Sequence, residues 1–190
     1  MSTQPVQVVV AYDFSPSADQ ALARAVEAAL RAPEHVLHIV TALDGSSGLA
    51  HLGHVTYDDA ERVRERVAEV VTAAFAGRPA AAEVTFFLHT RIGKPADEIL
   101  MLAQEIGADL IYVGSHGRLG IERLVLGSVS ERIVREARCA VIVARPKGYA
   151  HVDLFKVVPF DHPHHAFKQP HRYTYTETRV MMRPSTWPIS

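Results

Sequence analysis

Residues 6–12, VQVVVAY, form a valine-rich run in which Gln7 is the one strongly polar residue, the pattern of a strand covered on both faces. The run stops at Asp13. Ser15 and Pro16 then suit the cap and first position of a helix. Ala21, Leu22, Ala25, Val26, Ala29 and Leu30 recur along its length as one apolar stripe. HVLHIVTAL (35–43) reads as a second strand, followed by a Gly/Ser loop. Val63, Val67, Val70 and Val71 mark a helix over 58–76. A third strand is expected over 83–92. A third helix follows over 93–107, with Pro95 near its start and Gly107 at its end. ADLIYVG (108–114) gives a fourth strand, residues 128–137 a fourth helix and CAVIVAR (139–145) a fifth strand.

Strand and helix thus alternate from residue 6 to residue 145. This predicts an α/β fold: a single doubly wound five-stranded parallel sheet with helices on both faces, because right-handed crossovers carry helices across the sheet. Ligands of such sheets bind outside the carboxyl ends of the strands, where the winding reverses. The loops to watch are Ala11–Ser15, Val40–Asp44 and Gly114–Gly127. After Pro146 the composition turns to His, Pro and aromatics without helical periodicity. The expected division is therefore a domain over 1–146 and a C-terminal arm over 147–190.

Composition narrows the classes. With Lys+Arg 20 against Asp+Glu 21 the net charge is −1, so neither nucleic acid nor an anionic membrane is favoured as a partner. The opening residues do not read as a signal peptide. One cysteine, Cys139, rules out an internal disulfide and fits a cytoplasmic location. Beside a strand, that thiol is expected to be buried and inert.

Between the fourth strand and fourth helix, GSHGRLGIERLVLGS carries Gly114, Gly117, Gly120 and Gly127. A strand, a glycine loop and a helix start can hold phosphate on exposed N–H groups. A plain connecting turn fits the same residues equally well. The spacing is neither that of a Walker loop nor that of the dinucleotide fingerprint.

GSHGRLGIERLVLGSVS also fits Gly-x2-Gly-x9-Gly-Ser/Thr, and so resembles the ATP-binding branch of the universal stress proteins. VVVAYDFSPSADQAL, IGKPADEILMLAQEIGADLIYVGSHG and CAVIVARP are similar to that family's opening strand and helix, third helix with fourth strand, and closing strand. The likeness runs over roughly residues 5–146. It implies a strand order of 3-2-1-4-5 and an adenine-nucleotide site binding ATP, ADP or AMP, with or without Mg2+. Ala11 and Tyr12 would lie beside the adenine, Val40 would touch the base, and Asp13 would meet the ribose. Gly114, Ser115, His116 and Gly117 match the first half of the phosphate loop. Gly127, Ser128, Val129 and Ser130 match the second. His116 and Arg118 could each reach a phosphate.

No acidic metal pair, Ser-His-Asp set or HExxH motif accompanies these residues, so neither a catalytic residue nor a metal ligand is assigned. The expectation is a stress-response binding module with at most slow ATP hydrolysis. A weak ATP hydrolase and a protein-binding member without nucleotide are the alternatives. A homodimer is expected through the fifth strand at the sheet edge. In the tail, His151, His162, His164, His165 and His171 lack the fixed scaffold that zinc requires. Leu154, Phe155, Val157, Val158, Phe160 and Phe167 suggest instead an arm packing on the partner subunit, with 172–180 adding a strand or hairpin.

Overall fold

The computed structural model describes residues 4–44, 56–117 and 126–145. Along them lie β1 (Val6–Ala11), α1 (Pro16–Arg31), β2 (His35–Leu43), α2 (Tyr57–Phe75), β3 (Thr85–Ile92), α3 (Pro95–Ile106), β4 (Leu110–Gly114), α4 (Ser128–Glu136) and β5 (Ala140–Ala144). The strands make one parallel sheet in the order β3-β2-β1-β4-β5. That is the fold the alternating pattern and the family likeness imply. The winding reverses at β1, which pairs with β2 on one side and β4 on the other. The loops that leave these strands at their carboxyl ends therefore part around a crevice.

The valine run of β1 is buried on both sides because alternate residues feed two cores. Val8, Val10 and Tyr12 join Leu37, Ile39 and Leu43 of β2 beneath α1 and α2, which contribute Ala21, Leu22, Ala25 and Val26, and Val63, Val67 and Val71. Val9 and Ala11 join Val40, Ile111 and Val113 beneath Ile99 and Leu102 of α3 and Ile133 of α4. Leu37, Ile39 and Leu102 are fully enclosed. Each side chain of that kind stabilises the fold by about 1.5–3 kcal/mol relative to exposure.

The helix starts follow their local chemistry. Ser15 caps α1, its Oγ accepting the Ala18 N–H at 3.2 Å, and Pro16 occupies the first turn. α2 begins at Tyr57, one residue before the expected start, because Thr56 and Asp59 form a reciprocal box. The Thr56 Oγ1 accepts the Asp59 N–H at 3.2 Å, and Asp59 Oδ2 accepts the Thr56 N–H at 2.9 Å. Asp59 is buried and also pairs with Arg62 at 2.9 Å.

β3 begins at Thr85, not at residue 83. A short 3₁₀ helix, Pro79–Glu83, occupies the segment before it. Pro79 fixes its own φ there, and Ala81 and Val84 donate to Arg78 and Ala81 at 3.0 and 3.2 Å. Cys139 is half-buried, and burial followed by the charge of Asp109 raises its thiol pKa. A thiol so shifted carries little thiolate and is a weak nucleophile. The expected arm over 147–190 lies outside the described residues, as does Arg118.

Candidate functional site

The expected site residues converge from the ends of β1, β2 and β4 and the start of α4. Ala11 ends β1, and its side chain shares the second core with Val40 and Val113. Tyr12 lies one residue beyond the strand and donates its N–H to the Val40 carbonyl at 2.9 Å. Its side chain points to the opposite face, under α1. There its hydroxyl donates to Asp19 Oδ1 at 2.7 Å. Burial, then the hydrogen bond and charge of Asp19, raise the phenol pKa far above its ordinary value. The ring is therefore a neutral core group and leaves the Ala11 side of the strand end clear.

Asp13 makes the next turn. Its Oδ1 accepts the Ser15 N–H at 3.0 Å, bridging over Phe14, which stands at φ 64°. A bulky side chain in left-handed backbone costs about 1–3 kcal/mol and persists only where neighbours impose it. Here the neighbours are the Asp13 turn, the Tyr12 ring edge-on at 5.1 Å and the Arg66 guanidinium 5.0 Å from the Phe14 ring centre. The other Asp13 oxygen, Oδ2, lies 3.1 Å from where a Cβ on Gly117 would sit. One carboxylate thus spans the loops that follow β1 and β4.

Gly114 serves packing. A Cβ there would come within 2.7 Å of the Ser17 carbonyl carbon and within 2.8 Å of the Ala18 nitrogen. The end of β4 is thus pressed against the first turn of α1. The Ser115 N–H donates to the Ala144 carbonyl of β5 at 3.0 Å. The His116 carbonyl closes the first turn of α1, accepting from Ser15 Oγ at 3.3 Å and from Ser17 Oγ. Ser115 Oγ lies 3.0 Å from His116 Nδ1. With that hydroxyl as donor, Nε2 carries the ring proton, and Nε2 is buried without a hydrogen-bond partner.

Gly127 brings the second half of the loop onto the first. Its N–H donates to the Ser115 carbonyl at 2.9 Å, and its own carbonyl accepts the Glu131 N–H at 2.8 Å. Ser130 is buried, and its Oγ lies 2.9 Å from the Gly127 carbonyl and 3.2 Å from the Ser115 carbonyl. The sequence reading took Ser130 with the phosphate loop. In the structure its hydroxyl holds the two loop halves together, which leaves its backbone N–H as the group directed along α4.

The two helix starts differ in consequence. α1 carries a serine cap and is sealed by the His116 carbonyl. α4 has Gly127 as its N-cap, with no side chain to cap it. Among the described residues, nothing accepts from the Ser128, Val129 and Ser130 N–H groups. Ser128 is exposed and Val129 half-buried against the second core. Three parallel N–H groups at an uncapped start, with the helix dipole behind them, attract an anion.

Sequence reasoning missed two features. One is the left-handed Phe14, for which an aromatic residue gives no signal. The other is a buried group on the far part of the sheet: His38 of β2, with His89 of β3 at 3.0 Å and Gln7 of β1 at 2.9 Å. Its residues sit in ordinary strand patterns and meet only through the register.

A model of the universal stress protein family matches residues 7–145. A universal stress protein of Methanocaldococcus jannaschii is 45% identical over 60 residues, which is 30% of this chain and 35% of that protein. The chain thus aligns with about a third of the length of such curated relatives. Among solved structures, the universal stress protein UspA from Lactobacillus plantarum superposes with a TM-score of 0.55 at 24% identity, covering 76% of this chain and all (100%) of that one. A universal stress protein in complex with cAMP gives 0.54 at 25% identity, covering 75% and 98%.

Proposed function

Since this chain belongs to the universal stress protein family, we propose that it is an adenine-nucleotide-binding module that takes ATP, or ADP or AMP in its place. The observation that carries the reading is the uncapped start of α4. Gly127, the N-cap of that helix, lies against Gly117, where a Cβ on it would be 3.6 Å from the Gly117 nitrogen, and Gly117 in turn faces Asp13, near where the sheet reverses its winding. Phosphate oxygens would accept from the Ser128, Val129 and Ser130 N–H groups, and Gly117 would let them approach. Asp13 would accept from the ribose hydroxyls, as a carboxylate does well. The base would lie against Ala11 and Val40, since the Tyr12 side chain turns to the other face. A relative solved with cAMP supports an adenine nucleotide over other anions.

The groups described suit holding a nucleotide more than cleaving one. Among the described residues, Asp13 is the one acid on the proposed phosphate path, and its Oδ1 accepts the Ser15 N–H. Hydrolysis requires a base that orients water, together with charge stabilisation in a closed site. Turnover is therefore expected to be slow, and Mg2+ would arrive with the nucleotide.

Calorimetry with ATP and GTP tests the reading. ATP should bind at least tenfold more tightly, because the 6-position of guanine reverses the donor and acceptor pattern offered to the Val40 backbone. Equal affinities, or no binding of either, would sink it.

The proposed oligomer is a homodimer through β5. Since Ala144 turns its carbonyl to β4, alternation directs the Val141 and Val143 N–H groups outward along the free edge. Ile142 is 40% exposed beside them. Val141→Pro removes an outward donor while sparing the ladder to β4. It should convert the dimer to monomer in light scattering at micromolar concentration, and an unchanged dimer would rule β5 out.

A further inference from the structure

His38 and His89 lie away from the loops that would hold phosphate, although His89 pairs with Val40 in the β2–β3 ladder. His38 lies on β2 opposite Val9 of β1 and Phe87 of β3, and His89 pairs with Val40 in the same ladder. All face the α3 side of the sheet. His38 is only 7% exposed. Its Nε2 meets Gln7 Oε1 at 2.9 Å, and its Nδ1 meets His89 Nε2 at 3.0 Å. The Phe87 and His89 rings stack on it at 5.1 and 5.2 Å.

The protons in this chain are fixed by its end. Gln7 Oε1 is an acceptor, so His38 Nε2 donates to it. His38 Nδ1 must then accept from His89 Nε2–H. The arrangement holds while His38 is neutral. A proton added to its Nδ1 keeps the His38–His89 bond only if His89 moves its own hydrogen to Nδ1, and it places a charge with no carboxylate partner in a buried position.

The surroundings oppose that proton. From β3, His89 and the Arg91 guanidinium share the face. From α3, Glu98 and Glu105 are drawn to Arg91, at 3.9 Å in the case of Glu98. From β1 comes the neutral Gln7, whose backbone N–H is held by Asp109 at 2.8 Å. Among the described residues the one helpful influence is Glu105, and it acts on His89. β3 is the sheet's outer strand. Beyond its ladder to β2, its neighbour is α2 on the opposite face.

We propose that the Gln7–His38–His89 chain is an acid-operated latch that fastens the edge strand β3 to β2 when neutral and releases it when His38 is protonated. Burial, then the charge of His89, push the His38 pKa from 6.5 down to about 4. Burial, then Arg91, lower that of His89. A histidine whose pKa is depressed in the closed state favours closure above the open-state value, and the advantage is lost as pH falls from 6.5 towards 4. Between pH 7.5 and 5 the detached state, with His38 in water, therefore gains about 30-fold over the closed one. This inference is independent of the nucleotide reading, since neither histidine touches the loops that would hold phosphate.

The test is amide hydrogen exchange on the full chain without nucleotide, at pH 7.5, 6 and 5, corrected for the intrinsic rate at each pH. Opening of β3 should rise about 30-fold by pH 5, while β4 rises far less. His38→Gln removes the titrating group and should flatten the β3 dependence. An imidazole titration of the wild-type chain by NMR tests the same point without a substitution, and His38 should titrate well below 6.5. Opening of β3 that ignores pH would overturn the proposal. So would an unchanged pH dependence in folded His38→Gln, or a wild-type His38 that titrates near 6.5.

Discussion

Gly114→Ala is expected to lower the melting temperature by about 10 °C, from a loss of roughly 3 kcal/mol. A single methyl has this effect because of where it would go. The Cβ would lie 2.7 Å from the Ser17 carbonyl carbon and 2.8 Å from the Ala18 nitrogen, both backbone atoms of the first turn of α1. Backbone in a capped helix cannot rotate aside as a flexible side chain does. Either β4 withdraws from α1 or α1 shifts, and each movement opens the contacts of Ser15 and Ser17 with the His116 carbonyl. Scanning calorimetry of the variant measures the loss. A change below about 0.5 kcal/mol, the range of an ordinary surface substitution, would show that the approach of β4 to α1 is looser than described.

Gly117→Val should separate binding from folding. The valine Cβ would sit 3.1 Å from Asp13 Oδ2, a side-chain oxygen that can move a few tenths of an ångström. Gly117 has no left-handed φ, although a glycine in such a loop invites that expectation, so no backbone strain follows. Stability should stay within about 1 kcal/mol of the parent. Adenine-nucleotide affinity should drop at least 100-fold, about 2.7 kcal/mol, because the side chain occupies the approach to the start of α4 and displaces Asp13. Calorimetry and a thermal melt on one sample give both numbers. Parental affinity in the folded variant would falsify the phosphate assignment.

Much of the fold could be read from the sequence because its elements are locally encoded. Val8, Val9 and Val10 are apolar in succession, so they declare a strand buried on both sides. Ser15 and Pro16 mark the start of α1 by capping chemistry that acts over three residues. The glycine cluster announced a close approach but not its object. Gly114 meets the first turn of α1, which lies far earlier in the chain, and no local pattern carries that information. Ser130 shows the same limit. As sequence it is a polar residue at a helix start; as structure it is a buried tie between the Gly127 and Ser115 carbonyls. The His38 latch was hidden most completely, since its members look like any polar positions in two strands. Only the register of β1, β2 and β3 sets them side by side.

The bonds from Ser15 and Ser17 to the His116 carbonyl span 101 and 99 positions of sequence. Closing a chain segment of that length costs about 4 kcal/mol of entropy, which the contacts between β1, α1 and β4 must already offset. The consequence is one of timing. β1 and α1 leave the ribosome early, yet the crevice beside them has no second wall until β4 and α4 are made and docked. This domain therefore completes the crevice only once β4 and α4 have docked on β1 and α1, and a ligand held there would stabilise the finished domain without favouring any partly folded form.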